Sequence, residues 1–187
     1  MKTNIYFVRH AHSTYTPDEL GRPLSDKGFA DAAKISEVLT EERVDVFISS
    51  PYLRAVQTIQ GATQKFDEDI ILMDGFKERT LSEKPVENFE QAIQKVWEDW
   101  DFSWEGGESN LAAQERGVKV LREVLDEYEG KNIVIGTHGN IMVLIMNYFN
   151  ADYDFEFWKQ LEMPDIYRLS FDGDRKSTRL NSSHLLI

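Results

Sequence analysis

The chain has 187 residues, of which 41% are hydrophobic and 12% aromatic, and these values indicate a single globular domain with a full core. Its formal net charge of −12 argues against nucleic acid as a partner, because nucleic-acid binding depends on neutralising phosphates with Lys and Arg. No apolar stretch approaches the roughly 18 residues of a membrane span, so we expect no membrane contact. The sequence contains no cysteine, and its first residues lack a secretory signal pattern. We therefore expect a cytoplasmic protein.

Short β-rich segments alternate with helical patterns along the chain. This alternation is typical of βα units and predicts an α/β fold, a three-layer αβα sandwich with a mainly parallel central sheet. The predicted strands are residues 5–8, 44–49, 70–73, 133–136 and 166–171. One helix is predicted after an N-cap at Ser25, a second after Ser50 with Pro51 as its first residue, and a third from the cap Ser109 to about Tyr128.

Basic residues follow three of the predicted strands. Arg9 and His10 end the first strand, Arg54 lies four residues after Ser50, and His138 follows the fourth strand. Because open α/β sheets bind ligands at the carboxyl ends of their strands, we expect two Arg and two His to meet at one edge of the sheet. The overall negative charge of the chain repels anions, so the chain can attract a phosphorylated ligand only through a local cationic pocket of this kind.

Three of the four tryptophans lie in residues 81–107, between the second and third of these motifs. We expect this segment to form a small helical lid over the pocket. The spacing of Trp97, Trp100 and Trp104 predicts that they share one helical face. Two interpretations follow: the tryptophans form the core of the lid, or they contact an apolar or ring portion of the substrate.

The order and spacing of the motifs resemble those of the histidine phosphatase superfamily, also called the phosphoglycerate-mutase-like proteins. The residues that carry the resemblance are Arg9-His10, the run Ser50-Pro51-x-x-Arg54, and Thr137-His138-Gly139. In detail the chain is similar to small phosphatases of bacillus-type bacteria, over nearly its whole length up to about residue 171. The resemblance implies the phosphoglycerate-mutase-like fold and a phosphatase activity that needs no metal and no cofactor.

Phosphoryl transfer needs a nucleophile, donors for the phosphate oxygens and an acid for the leaving oxygen. His10 is the candidate nucleophile, because one nitrogen of a neutral imidazole can attack phosphorus while a fixed acceptor holds the other. Arg9 and Arg54 are candidate phosphate ligands, since their planar guanidinium groups stay charged and match phosphate oxygens. His138, which precedes Gly139 and a predicted helix start, is a candidate for both catalysis and phosphate binding.

The acid is predicted from the resemblance. By position the family's proton donor corresponds to Glu78, and Glu83 and Glu87 are nearby rivals. Ser13 and Asn140 are secondary candidates for contacts to phosphate or to a substrate hydroxyl, although either side chain can instead cap its own turn. No carboxylate cluster has convincing metal-ligand spacing, so we predict no metal site.

Three functions remain open at this stage. The leading one is hydrolysis of small phosphomonoesters through a phosphohistidine on His10. The second is a phosphoglycerate mutase. The resemblance implies that mutases carry Gly after the catalytic His and Asn six residues beyond it, where this chain has Ala11 and Thr16, and His12 stands where many relatives have Glu or Gln. These differences disfavour a mutase, whereas Asn140 resembles the mutases. The third is a phosphate-ester binding or regulatory module without turnover. The expected partner is a small phosphorylated metabolite, and the expected state is a monomer or homodimer.

The last residues, 174–187, do not continue the family pattern. Residues 174–184 read like an in-frame translation of a common sequencing adapter, which suggests that the natural gene runs into foreign sequence near Gly173. The expected domain is therefore residues 1–173. Sequencing the source DNA across this junction tests the hypothesis, and an unbroken genomic reading frame with the same codons would contradict it.

Overall fold

The computed structural model describes residues 1–172 and 181–185, and in these ranges six strands form one sheet. The strands are β1 Lys2–Arg9, β2 Val46–Ser49, β3 Ile70–Leu72, β4 Asn132–Thr137, β5 Asp165–Asp172 and β6 Asn181–Leu185. Their order across the sheet is β3-β2-β4-β1-β5-β6. The first four are mutually parallel, whereas β5 runs antiparallel to β1 and β6 antiparallel to β5. The predicted mainly parallel sheet is thus confirmed.

Six α-helices and one short 3-10 helix, Asp74–Phe76, accompany the sheet in the described ranges. The α-helices are α1 Asp26–Glu41, α2 Leu53–Phe66, α3 Phe89–Glu98, α4 Asn110–Glu127, α5 Gly139–Phe149 and α6 Phe155–Gln160. Both predicted caps are confirmed, since the Ser25 side chain accepts from the Gly28 N–H and the Ser109 side chain accepts from the Ala112 N–H. None of these helices has the length and apolar character needed to cross a bilayer.

The expected position of Pro51 at the start of α2 is wrong. Tyr52 is the N-cap in an extended conformation, and the helix begins at Leu53. The N–H of Leu53 donates to the Leu20 carbonyl at 2.9 Å, so the first helical residue is tied to the loop that follows β1. Arg54 nevertheless lies in the first turn of α2, as predicted.

Alternate residues of β1 pack on opposite faces of the sheet. Ile5 and Phe7 belong to a cluster with residues of α3, α4 and α5, whereas Tyr6 and Val8 belong to a second cluster with residues of α1 and α2. This period of two is what a strand buried on both faces requires. The helices therefore cover both faces, which confirms the three-layer αβα sandwich.

The tryptophan-rich segment is less helical than predicted. Its only helix in the described residues is α3, which ends at Glu98, so Trp100 and Trp104 lie beyond it and the predicted common helical face is wrong. The reason is that Asp99 has an extended backbone, which ends the helical spacing. Trp97 still meets Trp100 edge to face at 5.6 Å, and it stacks on Phe155 at 5.8 Å. The three tryptophans pack with the larger core cluster, which favours a structural role for them.

Strand β6 falls within the segment expected to be foreign. The His184 ring stacks on Tyr167 with centroids 4.9 Å apart and bonds to the Asp165 carboxylate, and Leu185 packs against the second core cluster. Residues 173–180 and 186–187, which also belong to or adjoin the predicted tail, lie outside the described residues. The origin of residues 174–187 stays a prediction.

Candidate active site

The carboxyl ends of three neighbouring strands bring the predicted site residues together. The His10 N–H donates to the Thr137 carbonyl at 3.0 Å, and the Ser50 N–H donates to the Gly136 carbonyl at 2.8 Å. These bonds continue the pairing of β1, β4 and β2 past the strand ends. As a result, the rings of His10 and His138 lie edge to face, with their centroids 5.2 Å apart.

The His10 ring is fixed by a bond at each nitrogen. Its Nδ1 lies 2.8 Å from the Ala11 carbonyl oxygen, which can only accept, so Nδ1 carries the proton of the neutral ring. The lone pair is then on Nε2, and the Arg54 Nε–H donates to it at 3.3 Å. Nε2 is therefore the nitrogen that can attack phosphorus, and the Arg54 guanidinium lies directly beside it.

Burial keeps the imidazole of His10 neutral. His10 is only 9% exposed, and desolvation lowers its pKa to about 3, against the bond to Ala11, which raises the pKa. The positive charges of Arg54, Arg9 and Arg22 lower the pKa further. The nucleophilic form of the ring is consequently the one that the folded protein favours near neutral pH.

His138 lies behind His10 and is fully buried. Its Nε2 lies 2.8 Å from the Ser50 hydroxyl, and the ring of Tyr52 contacts it edge to face with centroids 4.9 Å apart. Burial is the main cause that lowers the pKa of His138 well below its ordinary value, and the charges of His10 and Arg54 add to it. Its Nδ1 is buried and has no hydrogen-bond partner within the described part of the chain.

Arg9 is held by the loop that precedes β5. Its Nη1 donates to the carbonyls of Leu161 and Glu162 at 3.1 and 3.0 Å. A Cβ at Gly139 would lie 3.0 Å from the Arg9 Nε, so the absent side chain lets the guanidinium pack against the start of α5. Arg9 is thereby placed where a helix N-terminus and a guanidinium can act on the same anion.

Glu78 is bound at the first turn of α5. Its Oε1 accepts from the N–H groups of Arg79 and Ile141 at 2.8 and 2.9 Å, and its Oε2 accepts from the Asn140 N–H at 3.1 Å. The rivals Glu83 and Glu87 are exposed. Glu78 is therefore the carboxylate of the three that lies among the groups of the predicted site.

Arg116 fixes the segment that carries Glu78. Its Nε and Nη2 make a bidentate pair with the Glu108 carboxylate, each at 2.8 Å. Its Nη1 donates to the carbonyls of Gly75 and Lys77 at 2.8 and 3.2 Å. The bidentate geometry restrains the guanidinium, so the short segment before Glu78 is held by two hydrogen bonds in addition to its own turn.

The two secondary candidates differ in their surroundings. Ser13 is half-buried in the loop after β1, where it forms an isolated bridge with Leu24. Asn140 lies in the first turn of α5, and its Oδ1 is buried without a hydrogen-bond donor in the described residues. Asn140 thus carries this acceptor in the helical turn whose backbone N–H groups bind Glu78.

Two polar residues of α2 that sequence reasoning did not assign hold the loop after β1. The Ala11 N–H donates to the Thr58 hydroxyl at 3.0 Å, and the Leu24 N–H donates to the Gln57 amide oxygen at 2.8 Å. Gln57 and Thr58 lie three and four residues after Arg54, hence on the same helical face. That spacing is the signal that could have identified them.

Charged residues near the site were also missed. Glu19 forms an ion pair with Arg54 at 3.0 Å. The same carboxylate forms a second ion pair with Arg22 at 2.9 Å. Arg79, next to Glu78, is 4% exposed, and its Nε and Nη1 have no hydrogen-bond partner among the described residues. Burial lowers the pKa of Arg79, and the charges of Glu78 and Glu108 oppose this effect. No short motif marks these residues in the sequence.

The described residues hold no group of three or more His, Asp or Glu side chains arranged to bind a metal ion. The positive charge at the site comes instead from Arg9, Arg54 and the nearby Arg22 and Arg79. Guanidinium groups stay protonated even where burial lowers their pKa. The arrangement therefore places cationic groups that can bind a phosphate beside His10 Nε2, the nitrogen that accepts from Arg54.

Comparison with known proteins identifies the class. The family model of the histidine phosphatase superfamily (branch 1) matches residues 5–183, so the chain belongs to this superfamily, as the motifs predicted. A curated relative, phosphoserine phosphatase 1 of Hydrogenobacter thermophilus, is 28% identical over 149 residues, which are 72% of this chain and 70% of the relative.

Two solved structures share the fold. A mycobacterial glucosyl-3-phosphoglycerate phosphatase superposes with a TM-score of 0.80 at 18% identity, over 98% of each chain. A phosphoserine phosphatase of Entamoeba histolytica, in complex with 3-phosphoglyceric acid, superposes with a TM-score of 0.77 at 18% identity, over 99% of this chain and 98% of that one. Together with the family match, the names of these proteins agree with the expected class, a phosphoric monoester hydrolase.

Proposed function

We propose that the protein hydrolyses small phosphomonoesters through a phosphohistidine formed on His10, without a metal ion. The observation that carries the proposal is the pairing of His10 Nε2 with the Arg54 Nε–H at 3.3 Å, while Nδ1 is held on the Ala11 carbonyl. This pairing combines a neutral nucleophile with a cation that can bind the phosphoryl oxygens as the bond forms.

The reaction has two steps. In the first, His10 Nε2 forms a bond to phosphorus, the ester P–O bond breaks, and Glu78 gives a proton to the leaving alcohol. In the second, a water gives a proton to Glu78 and attacks phosphorus, the N–P bond breaks, and inorganic phosphate leaves. Arg9, Arg54 and His138 stabilise the charge on the phosphoryl oxygens in both steps.

The proposed substrate is a small phosphorylated metabolite handled in the cytoplasm, with neither nucleic acid nor a membrane as partner. The names of the relatives suggest that phosphoserine and phosphoglycerates should be tried first. Ser13 and Asn140 remain proposed contacts to phosphate or to a substrate hydroxyl. For Asn140 the support is its buried Oδ1, which has no donor in the described residues.

The test is phosphate release from p-nitrophenyl phosphate, phosphoserine, phosphoglycerates, sugar phosphates and nucleotides in the presence of EDTA. Wild-type protein should release phosphate from at least one of these compounds, and His10→Ala should lower the rate by about a thousandfold or more, because the nucleophile is lost. A substrate labelled in its phosphate group should also leave the label bound to the wild-type protein. Acid should release this label, which excludes acid-stable phosphate groups.

Three other outcomes would contradict the proposal. Loss of activity in EDTA with recovery on adding a divalent cation would contradict metal independence. Transfer of phosphate from a bisphosphoglycerate without release to water would indicate the mutase. Absence of any reaction, with phosphate esters still bound, would indicate the binding module.

A further inference from the structure

Arg54 has a carboxylate partner in the loop between β1 and α1. Its Nη1 donates to the backbone carbonyl of Glu19 at 2.9 Å and lies 3.0 Å from Oε2 of the same residue. The Arg54 side chain is 6% exposed, whereas the Glu19 side chain is 57% exposed. One exposed residue therefore contacts a buried guanidinium through both its backbone and its side chain.

The two contacts of Arg54 use different edges of the guanidinium group. Nε, which donates to His10 Nε2, shares an edge with Nη2, and the two N–H groups of such an edge can bind a phosphate in bidentate fashion. Nη1 points away from that edge toward Glu19. A phosphate on His10 can thus be bound by Nε and Nη2 while the Glu19 contacts stay in place.

Glu19 is itself held by a second arginine. Its Oε1 lies 2.9 Å from Arg22 Nη2, which also donates to the Thr16 carbonyl at 3.1 Å. The Arg22 guanidinium lies over the Tyr15 ring, 4.8 Å from its centroid. Each oxygen of the Glu19 carboxylate is consequently bound to a different arginine, which restrains the side chain although it is exposed.

We propose that Glu19 is a positioning residue for Arg54: it turns the Nε and Nη2 edge of the guanidinium toward the phosphate site above His10, and Arg22 holds Glu19 in place. The proposal rests on the proposed function, in which Arg54 binds the phosphoryl group. The opposing interpretation is that Glu19 competes with phosphate for Arg54. The two predict opposite changes in phosphate affinity when the carboxylate is removed.

The test measures the dissociation constant of inorganic phosphate by calorimetry for wild type, Glu19→Gln and Glu19→Ala. Loss of a hydrogen bond to a charged group should raise the dissociation constant about tenfold in Glu19→Ala. The increase should be smaller in Glu19→Gln, because the amide oxygen can still accept from Nη1. Glu37→Ala removes the same charge from an exposed position on α1 and serves as the matched control, with an expected change below about twofold.

A double-mutant cycle separates positioning from a general effect of charge. In an Arg54→Lys background, Glu19→Ala should change the dissociation constant by less than about twofold, because the guanidinium edge that Glu19 orients is gone. Tighter or unchanged phosphate binding by Glu19→Ala in the wild-type background would overturn the proposal. So would an equal loss in the Arg54→Lys background. Should Glu19→Ala fail to fold, an unchanged dissociation constant in Glu19→Gln, with an unchanged melting temperature, would overturn it as well.

Hydrolysis measured on the same proteins distinguishes the two proposals. If wild type binds phosphate but hydrolyses no ester, the proposed function fails, while the binding series still decides the role of Glu19. If wild type hydrolyses esters and Glu19→Ala binds phosphate equally well, only the positioning role fails.

Discussion

At the scale of a single residue, His10 shows how burial can keep an imidazole in the neutral form that its proposed role as nucleophile requires. In water a histidine is partly protonated near neutral pH, and the protonated ring has no free lone pair to attack with. Here the ring is buried among three arginines, all of which disfavour its protonation. The same environment must have a cost in stability under acid conditions, because unfolding releases the ring into water.

The first prediction concerns this pH dependence. His10 has a pKa of about 3 in the folded protein against 6.5 when unperturbed, so between these values the unfolded state binds the proton and the folded state does not. The stabilisation is therefore complete above about pH 6.5 and decreases as the pH falls toward 3, by up to about 1.4 kcal/mol per pH unit. Between pH 7 and 5, the free energy of unfolding should decrease in both proteins. The decrease should be about 2 kcal/mol smaller for His10→Asn than for wild type.

Urea unfolding at pH 7, 6 and 5 provides the measurement. Because His138 is present in both proteins, the difference between their curves reports the titration of His10 together with its effect on His138. Parallel curves for wild type and His10→Asn would show that the ring is not held neutral by the fold.

The sequence allowed the prediction of residues that adjoin strands and missed those in irregular segments. His10, Arg54 and His138 each follow a strand directly or after a short turn, so strand periodicity was sufficient to bring them together. Glu19 and Arg22 lie in a loop without periodic pattern, in a chain with 21 basic and 33 acidic residues. Their contacts depend on how that loop packs on α2, which no local pattern records.

Helix α1 makes a close contact with the loop after β1, the loop that begins at His10. The start of α1 packs beneath the loop that carries Ala11 and His12, and a Cβ at Gly28 would lie 2.0 Å from the His12 carbonyl oxygen. The neighbouring atom belongs to the backbone and cannot move without moving the loop. A glycine is therefore required there for steric reasons, since the backbone of α1 itself is ordinary helix.

The second prediction follows from this contact. Gly28→Ala should lower the free energy of unfolding by about 2 kcal/mol, because the loop and the helix must separate to admit a methyl group. Activity should fall as well, since the loop begins at His10. Gly21→Ala is the control: its Cβ would meet the end of the flexible Asp18 side chain, so a loss below about 1 kcal/mol is expected. Chemical denaturation measures both, and equal losses would refute the steric explanation.

At the scale of elements, the segment predicted to be a helical lid, residues 81–107, illustrates how aromatic spacing can mislead. Trp97, Trp100 and Trp104 are spaced as on a helix, yet only Trp97 is helical. The Trp104 Nε1 donates to the Ala92 carbonyl at 3.2 Å, so this ring packs back on α3 from the following loop. Large side chains can reach one core from a helix or from a loop, and spacing alone does not distinguish the two cases.

At the scale of the whole molecule, we expect the C-terminal strand β6 to contribute to the stability of the protein. Strand β6 lies on the far side of β5 from β1, at the edge of the sheet. Ending the chain after Gly173 should lower the melting temperature by roughly 3–6 °C, the equivalent of about 1–2 kcal/mol for a domain of this size. Turnover of the best substrate should stay within about twofold, because the strands β1, β2 and β4, which precede His10, Arg54 and His138, keep their paired neighbours.

Thermal denaturation and the hydrolysis assay on both chain lengths test this prediction. A shortened chain that melts as the full chain does would show that β6 adds no stability. A shortened chain that folds but loses turnover would show that the Asp165 contact with His184 matters for the site, through the loop that binds Arg9.

The order of the sheet also has consequences during synthesis of the chain. Strand β1 is made first, yet both of its neighbours come late: Asn4 pairs with Asn132, and β5 begins only at Asp165. The ribosome must therefore release most of the polypeptide before β1 finds a partner, and long-range pairing of this kind forms slowly. We expect a nascent chain to expose residues 5–8 to chaperones throughout that interval, and a product of interrupted translation that lacks β4 to be inactive although it already contains His10, the proposed nucleophile.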